Sequence, residues 1–311
     1  MSIHENNLPL LKRFLIYQKE RFPFIGHGIL IACFSFSAIS YSRICRGAKG
    51  FIAFNDYLAV ALTCIALFFL LRVFDEFKDE EDDAKYRKHL PIPRGLISFS
   101  ELKKMGIASI IVQLSINIFW EPNMLLLYLL PLGYLLLMWQ EFFIADWLKK
   151  RQFWYVVSHM LIIPLIDVYA SGFDWKLEGV SAPKGLLFFF AVSFMNGLVL
   201  EVGRKIRTKD KEEFNTYSTK FGAKKATQLF LLMLVITYAF ALAASHYANY
   251  GMISFGILTF FLIICSLPAL LFLKEEKEKT AKLIEYASAL WTIAMYLTLG
   301  GGPMINQLIF K

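Results

Sequence analysis

Nine apolar runs, each about 20 residues long, recur along the whole chain, and an α-helix needs about that length to cross the hydrocarbon core of a bilayer. The composition agrees, since 57% of the 311 residues are apolar and 30 are Phe, which is too apolar for an ordinary soluble protein. The runs lie at roughly 22–42, 53–74, 100–119, 122–145, 152–171, 185–203, 225–247, 251–273 and 283–308. The sequence therefore predicts an all-α, polytopic membrane protein with nine transmembrane helices in one domain over 1–311.

The basic residues are concentrated on one side of the predicted membrane. With the N-terminus inside, the inside segments carry 27 of the 33 Lys and Arg residues. This bias predicts a multi-pass protein of a plasma or inner membrane, with its N-terminus and its long charged loops in the cytoplasm. The net charge of +8 is explained by this topology and does not indicate a nucleic acid partner. The inside segments are 1–21, 72–104, 146–152, 204–225 and 274–282.

A signal peptide has a basic region, then an apolar stretch and then a small-residue cleavage site, and the N-terminal segment 1–21 lacks this order. Its stretch LPLLKRFLIYQKERF is predicted to be an amphipathic helix lying at the membrane interface, in contact with lipids. The four cysteines have no paired spacing that would indicate a disulfide framework or a zinc site.

The densest charge cluster follows the second span directly, where seven of the nine residues in DEFKDEEDD (75–83) are carboxylates. If the helix continues at about 100° per residue, Asp75, Asp79 and Asp82 fall within about 60° of one another, and Asp83 lies one step further round. Like charges on one face repel, and Mg²⁺ held by a few carboxylate oxygens would offset that repulsion. The alternative is a solvated helix end that nearby Lys and Arg side chains neutralise.

This acidic stretch, followed by PIPRG, resembles the first aspartate-rich motif of the UbiA superfamily of membrane prenyltransferases, N-D-x-x-D-x-x-x-D with a later Pro-(Ile/Leu)-x-x-Gly. Asp75 stands at the Asn position and Glu76 at the first Asp position, while Asp79 and Asp83 match the other two. The resemblance extends over nearly the whole chain and implies a UbiA-like helical bundle with cytoplasmic cap loops and Mg²⁺ as cofactor. The cap loops are 75–99 and 201–224. The implied Mg²⁺ ligands are Asp75, Glu76, Asp79, Asp83 and Glu201.

The loop after the sixth span departs from the family pattern. Glu201 matches the first acid of a second motif, but Arg204 and Lys205 stand where another carboxylate is expected, and Asp210 is offset from that place. One acid and two cations suit direct contact with diphosphate oxygens, so we expect either one firmly bound metal or two unequal ones. The alternative is a basic loop anchored to lipid headgroups.

The loop after the fourth span carries Lys149 and Lys150 where the family has a Tyr-x-x-x-Lys-like site, and only the cation of that site carries over. Topological anchoring explains these lysines equally well. The residues implied to bind the diphosphate are Arg72, Lys78, Arg94, Lys149, Arg204, Lys205 and Tyr217. The residues implied to be catalytic are Asp79, Asp83, Lys150, Arg204 and Lys205.

Four more ionisable residues, Glu141, Asp146, His159 and Asp167, lie in or beside the fourth and fifth spans, where such groups are expensive and tend to face a cavity or one another. His159 or Glu141 could take a proton from an acceptor substrate, and a hydrogen-bonded structural pair is the alternative for each.

The resemblance implies Mg²⁺-dependent transfer of an isoprenyl group from an isoprenyl diphosphate to a small lipophilic or aromatic acceptor in the membrane. The irregular second motif leaves two alternatives open. One is a membrane terpene cyclase of the same superfamily, in which a double bond of the substrate itself attacks the cation. The other is a transporter, or a lipid- or metal-binding accessory protein without catalysis.

Overall fold

The computed structural model describes residues 8–208 and 217–309, and every regular element within these ranges is helical. Asp210 and part of the predicted cap loop 201–224 lie outside the described residues, as does the start of the N-terminal segment. In the described part, nine helical spans are long and apolar enough to cross a membrane, which confirms the all-α, polytopic prediction. The spans are Phe24–Cys45, Phe54–Lys78, Phe99–Trp120, Pro122–Trp139, Gln152–Trp175, Leu186–Gly203, Ala223–Tyr247, Gly251–Lys274 and Glu278–Asn306.

The chain divides into two compact units. The first consists of the described parts of Met1–Ala32 and Ala53–Lys150, and the second consists of the described parts of Cys33–Ile52 and Arg151–Lys311. The single domain predicted over 1–311 stays a prediction.

The first unit is built around the second span of the chain, Phe54–Lys78. Its helices are α1 (Leu10–Arg21), the first turns of α2 (Phe24–Cys45), α3 (Phe54–Lys78), α4 (Glu80–Tyr86), α5 (Phe99–Ser115), α6 (Leu125–Trp139) and α7 (Ala145–Lys149). Helices α3 and α5 pack closely because Gly106 has no side chain, and a Cβ there would lie 3.1 Å from Cγ1 of Val73. The buried polar groups of these helices bond one another: Gln113 donates to Ser109 at 3.1 Å and accepts from the Tyr128 hydroxyl at 3.2 Å.

Helix α1 is held against α3 by aromatic rings. The ring of Phe22 lies 5.6 Å from that of Phe69, and the ring of Phe14 lies 6.4 Å from it. Tyr17, on the same helix, is completely buried. Three apolar side chains of α1 remain exposed, namely Leu10, Leu11 and Leu15. An exposed apolar face is what the predicted interfacial helix requires, and its contact with lipid stays a prediction.

The second unit contains the remaining spans and the rest of α2. Its helices are α8 (Gln152–Met160), α9 (Ile162–Trp175), α10 (Leu186–Gly203), α11 (Tyr217–Phe221), α12 (Ala223–Tyr247), α13 (Gly251–Lys274), α14 (Glu278–Tyr296) and α15 (Gly302–Ile309). The fifth span is broken between α8 and α9 at Leu161. The break follows from Pro164, which lacks an N–H and whose ring clashes with the carbonyl of Met160, four residues earlier.

The ninth span contains a wide turn near its end. A π-helical turn, Leu297–Gly301, separates α14 from α15. Pro303 cannot donate to the carbonyl of Leu299, and the hydroxyl of Tyr250 donates to that carbonyl instead. Gly300 lies against the backbone of Ser37, where any side chain would collide. The wide turn therefore lets two helices approach closely.

Candidate functional site

The acidic stretch forms two helices instead of one continuous helix. Helix α3 ends at Lys78, Asp79 has φ −89° and ψ 8°, and α4 begins at Glu80. Backbone bonds still cross the junction, from the N–H of Asp79 to Asp75 and from the N–H of Asp83 to Asp79. The junction is therefore a local distortion across which the helical hydrogen-bond pattern continues.

The carboxylates of this stretch differ in how far they are buried. Glu76 and Asp83 are buried, each with 2% of its surface exposed, and Asp75 and Asp79 are half-buried. Asp82, which a continuous helix places on the shared face with Asp75 and Asp79, is exposed to solvent. Glu76 and Asp83 are seven residues apart, about two helical turns, so both lie on the side of this stretch that faces the protein. The face predicted for Asp75, Asp79 and Asp82 stays a prediction.

The PIPRG segment folds back as a tight turn beside this motif. The N–H of Leu96 donates to the carbonyl of Pro91 at 2.9 Å, and the N–H of Gly95 donates to Ile92 at 2.9 Å. Gly95 has φ +82°, a conformation that costs a residue with a side chain free energy. Buried Leu96 and Ile97 anchor the turn.

A cavity of about 90 Å³ lies between the acidic helices and this turn. A void of roughly 10–15 Å³ holds one water molecule, so this cavity has room for a small hydrated ion. The side chains that line it are Glu76, Glu80, Asp83, Ala84, Ile92, Pro93 and Phe99. Two carboxylates matched to the family motif, Glu76 and Asp83, therefore line one cavity.

Arginines surround the buried carboxylates. Oε1 of Glu76 accepts from Nε of Arg21 at 2.6 Å and from Nη2 of Arg72 at 2.9 Å. Oδ1 of Asp83 accepts from Nη1 of Arg87 at 3.0 Å. Oδ2 of Asp83 is buried and has no hydrogen-bond partner among residues 8–208 and 217–309. Nη2 of Arg21 lies 3.8 Å from this oxygen.

Two acids beyond the end of α3, Asp79 and Asp83, have raised pKa values. Burial raises the pKa of Asp79, and the charge of Asp83 raises it further, against the opposing effect of Arg72. Burial also raises the pKa of Asp83, while Arg87 opposes that rise. Burial removes these carboxylates from water, and the nearby arginines only partly offset the cost of burying their charge. A bound cation would therefore stabilise their charged forms.

The residues present fit the Mg²⁺ that the family resemblance implies. In the described part of the chain, no three His, Cys, Asp or Glu side chains stand together as a ready metal-binding set. Magnesium, however, is usually held by one or two carboxylates together with water and substrate phosphates, so such a set is not required. The free oxygen of Asp83, beside the half-buried Asp79, supplies donors of the right chemistry.

Two cations predicted to bind diphosphate are engaged with carboxylates within the first unit. Nζ of Lys78 lies 2.7 Å from Oε1 of Glu141, and Arg94 donates to both carboxylate oxygens of Glu20, at 2.7 and 2.8 Å. The arginine next to Glu20 holds the pKa of that carboxyl below its ordinary value. Either cation must exchange its partner before it can bind a diphosphate.

Glu141 begins a strained turn. Glu141, Phe142 and Phe143 have φ values of 48°, 53° and 60°, so three consecutive residues with side chains adopt the left-handed conformation. The turn leads into α7, where Lys149 and Lys150 are both exposed, as is Asp146. These two lysines remain available to a ligand or to lipid headgroups.

In the second candidate loop, which belongs to the second unit, one carboxylate pairs with two cationic side chains. Glu201 accepts from Arg204 at 2.9 Å through Nε, and it also pairs with Lys205. The Arg204 side chain is 56% exposed. Nζ of Lys205 lies 5.9 Å from the ring centre of the buried Tyr217, whose pKa is raised by burial. Glu201, the predicted metal ligand, is thus neutralised by the two predicted diphosphate-binding cations.

His159 is held by contacts with Tyr155 on the same helix. Its Nδ1 lies 2.7 Å from the carbonyl of Tyr155, and its ring stacks on that tyrosine with centroids 4.0 Å apart. The contact agrees with the structural alternative, and a role in proton transfer stays a prediction. Asp167 is fully buried in α9.

Sequence reasoning did not find the contribution of α1 to the acidic site. Arg21 bonds Glu76, and Tyr17, one turn earlier on the same face, lies beside Glu76 and Arg72. The spacing of Tyr17 and Arg21 by four residues was the available signal. It indicated a shared face but not what that face contacts.

Comparisons with known proteins agree with this arrangement. The model of the UbiA prenyltransferase family matches residues 29–293. The apo structure of a UbiA homologue from Aeropyrum pernix K1 is 16% identical, with a TM-score of 0.64 over 90% of this chain and 98% of that one. A structure concerning digeranylgeranylglyceryl phosphate synthase in membranes is 17% identical, with a TM-score of 0.59 over 95% of this chain and 99% of that one. A search of curated proteins finds no match. At these identities the structural likeness establishes the fold.

Proposed function

This chain belongs to the UbiA prenyltransferase family, and we propose that it transfers an isoprenyl group from an isoprenyl diphosphate to a lipophilic or aromatic acceptor, with Mg²⁺ as cofactor. The reaction takes place within the membrane, because the donor's tail is itself a lipid. The motif loops and the N-terminus face the cytoplasm, in accord with the distribution of Lys and Arg.

One observation carries the proposal. A cavity of about 90 Å³ is lined by Glu76 and Asp83 of the family motif, and one buried oxygen of Asp83 has no hydrogen-bond partner in the described part of the chain. A purely solvated acidic helix end would leave its carboxylates in water. Burying a carboxylate oxygen without a partner is costly, and a bound cation would offset that cost.

Asp79 and Asp83 would hold the Mg²⁺, with Asp75 at the half-buried edge. Bound there, the ion would neutralise charge on the diphosphate as the bond to the isoprenyl carbon breaks. Glu76 is a weaker candidate ligand, since two arginines already bond its Oε1. Its proposed role is to hold Arg72 and Arg21 beside the motif.

Basic side chains would bind the diphosphate and stabilise it as it leaves. In the first unit these are Arg72, Lys78, Arg94, Lys149 and Lys150. In the second unit, Arg204, Lys205 and Tyr217 are proposed for contact with the diphosphate, and Glu201 is proposed as a weaker metal ligand. Each assignment is separately testable. The allylic cation would then meet the acceptor's nucleophilic carbon or oxygen, with water excluded, because water would otherwise capture the cation.

The test uses purified full-length protein, a radiolabelled isoprenyl diphosphate and Mg²⁺, with and without a panel of lipophilic and aromatic acceptors. Diphosphate release that depends strictly on an acceptor, together with a labelled acceptor product, supports the proposal. Release without an acceptor, giving a cyclic hydrocarbon or alcohol, would indicate a cyclase. Failure of the donor to bind at all would indicate a non-catalytic accessory protein.

A further inference from the structure

Four polar side chains meet deep inside the second unit. Asp167 lies on α9, Ser193 and Asn196 lie on α10, and Tyr296 lies at the end of α14. The first three are completely buried, and Tyr296 is 4% exposed. Ser193 lies beside the carboxyl of Asp167, and the hydroxyl of Tyr296 faces Ser193 and Asn196.

The cluster lies near the middle of the membrane-spanning segments. Asp167 precedes the end of its span at Trp175 by eight residues, or about 12 Å at the rise of an α-helix. Asn196 lies eleven residues into the 18-residue span Leu186–Gly203. Ionisable side chains at such depth are expensive and mark functional sites by default.

The polar atoms of this cluster are left without partners. Both carboxylate oxygens of Asp167, the hydroxyl of Ser193 and both amide atoms of Asn196 make no hydrogen bond of ordinary geometry to any described residue, although the four side chains lie close to one another. The chain can satisfy buried polar groups elsewhere: Gln113 in the first unit both donates and accepts. Five buried polar atoms without a partner in one place therefore indicate a site that binds a ligand.

The occupant must offset a negative charge. Over residues 8–208 and 217–309, no Lys, Arg or His side chain forms an ion pair with Asp167. By contrast, Asp174, two turns further along the same helix, is bonded by Ser42, Arg43 and Arg46. An unpaired carboxylate in a medium of low dielectric constant needs a positively charged partner.

The occupant must also be small. Each unpartnered atom has less than 1 Å² of accessible surface, so the space between them does not admit a water-sized sphere. Aromatic rings close one side, with Phe34 5.4 Å and Phe189 6.0 Å from the ring of Tyr296. An organic headgroup would not fit without separating the helices.

We propose that Asp167, Ser193, Asn196 and Tyr296 form a binding site for a small monovalent cation, Na⁺ in particular. The set offers carboxylate, hydroxyl, amide and phenol oxygens, which are the hard donors that such a cation prefers. One carboxylate matches one positive charge, whereas a divalent ion would remain undercompensated. The ion joins three helices of the second unit, and its role is independent of the proposed transfer reaction.

The test measures Na⁺ binding by the purified full-length protein at constant pH and ionic strength, with N-methylglucamine as the replacing cation. Radioactive Na⁺ should bind with a stoichiometry of one and be displaced by unlabelled Na⁺. At a Na⁺ concentration a hundredfold above the dissociation constant, the unfolding midpoint should rise by about 5 °C.

Variants of the cluster distinguish Na⁺ binding at this site from general effects of salt on stability. Asp167→Asn keeps the shape of the side chain and removes its charge, so it should abolish both Na⁺ binding and the rise in midpoint. Ser193→Ala removes one neutral ligand and should weaken binding about tenfold. The matched control is Thr292→Val on α14, a buried hydroxyl that already bonds the carbonyl of Ser288 at 2.9 Å. It should bind Na⁺ like the unchanged protein.

Two results would overturn the proposal. The first is a wild-type protein that binds no Na⁺ and whose midpoint is the same in Na⁺ and in N-methylglucamine, which would indicate that Asp167 carries a proton. The second is Na⁺ binding that is as tight in Asp167→Asn as in the unchanged protein. Neither result bears on prenyl transfer, which the donor assay tests by itself.

Discussion

Nε of Arg21, at the end of the N-terminal helix, lies 2.6 Å from Oε1 of Glu76 in the acidic motif. The same oxygen accepts from Arg72, and Nη2 of Arg21 also lies 3.8 Å from the unbonded oxygen of Asp83. A segment outside the family motif thus places a positive charge at the proposed metal site. It both stabilises the buried acids and competes with a divalent ion for them.

Removing that charge should make the site bind Mg²⁺ more tightly. With saturating donor, Arg21→Gln should lower the Mg²⁺ concentration for half-maximal activity about three- to tenfold, because a nearby like charge is lost in a partly buried site. Glu76 would retain Arg72. A titration of activity against Mg²⁺ measures the effect.

The control for this prediction is Arg13→Gln. Arg13 bonds Glu101 at 2.6 Å and also helps to hold α1, but it is not among the side chains that line the acidic cavity. It should leave the Mg²⁺ requirement unchanged even if it lowers stability. A higher Mg²⁺ requirement in Arg21→Gln would mean that Arg21 organises the site instead of competing for it.

The acidic motif offers a pair of neighbours for a direct test of metal binding. Asp83 is buried with a free oxygen, and Asp82 is exposed. Asp83→Asn should reduce activity at least about a hundredfold, since an interaction with the leaving group is lost in the transition state. Asp79→Asn should do the same, while Asp82→Asn should remain near normal. Detergent-stable folding of all three variants is checked by circular dichroism.

Equal losses in Asp82→Asn and Asp83→Asn would contradict the assignment of the cavity, since only general acidity would then matter. Near-normal activity of Asp83→Asn at low Mg²⁺ would mean that Asp83 does not bind the metal.

The second loop should separate metal binding from direct diphosphate contact. Arg204→Ala should lower kcat/KM about tenfold, because a charge-assisted contact at a half-exposed side chain is screened by water. Excess Mg²⁺ should not restore it. Glu201→Gln should raise the Mg²⁺ requirement, and excess metal should partly restore its activity. Restoration of Arg204→Ala by metal would reverse these two roles.

The strained turn after the fourth span predicts an unusual stabilising substitution. Phe143 has φ 60° and is 77% exposed, so Phe143→Gly should relieve about 1 kcal/mol of backbone strain while losing little protein packing. Phe153→Gly is the control, because Phe153 is equally exposed but begins a regular helix, α8. It should destabilise the protein by about 1 kcal/mol. Thermal unfolding in detergent compares the two, and a lower midpoint for Phe143→Gly would show that the turn is not strained.

Much of the fold could be predicted from the sequence, because the length and polarity of an apolar run are local properties. Nine runs predicted nine spans, and DEFKDEEDD with PIPRG indicated the family and the first motif. The lipid environment makes this possible: a helix is the structure that satisfies every backbone group of a single segment inside a bilayer.

The arrangement of the site was decided by the tertiary structure. A helical wheel placed several acids of the motif on neighbouring positions, but it could not show which of them the protein buries: Glu76 and Asp83 are buried, and Asp82 is exposed. Arg21 meets Glu76 across 55 residues of sequence, because aromatic packing docks α1 on α3. Asp167 was visible in the sequence as an ionisable residue within a span. Only the packing of three helices showed that its neighbours are neutral oxygens with no partner, because the pairing of a buried charge depends on what the fold brings near it.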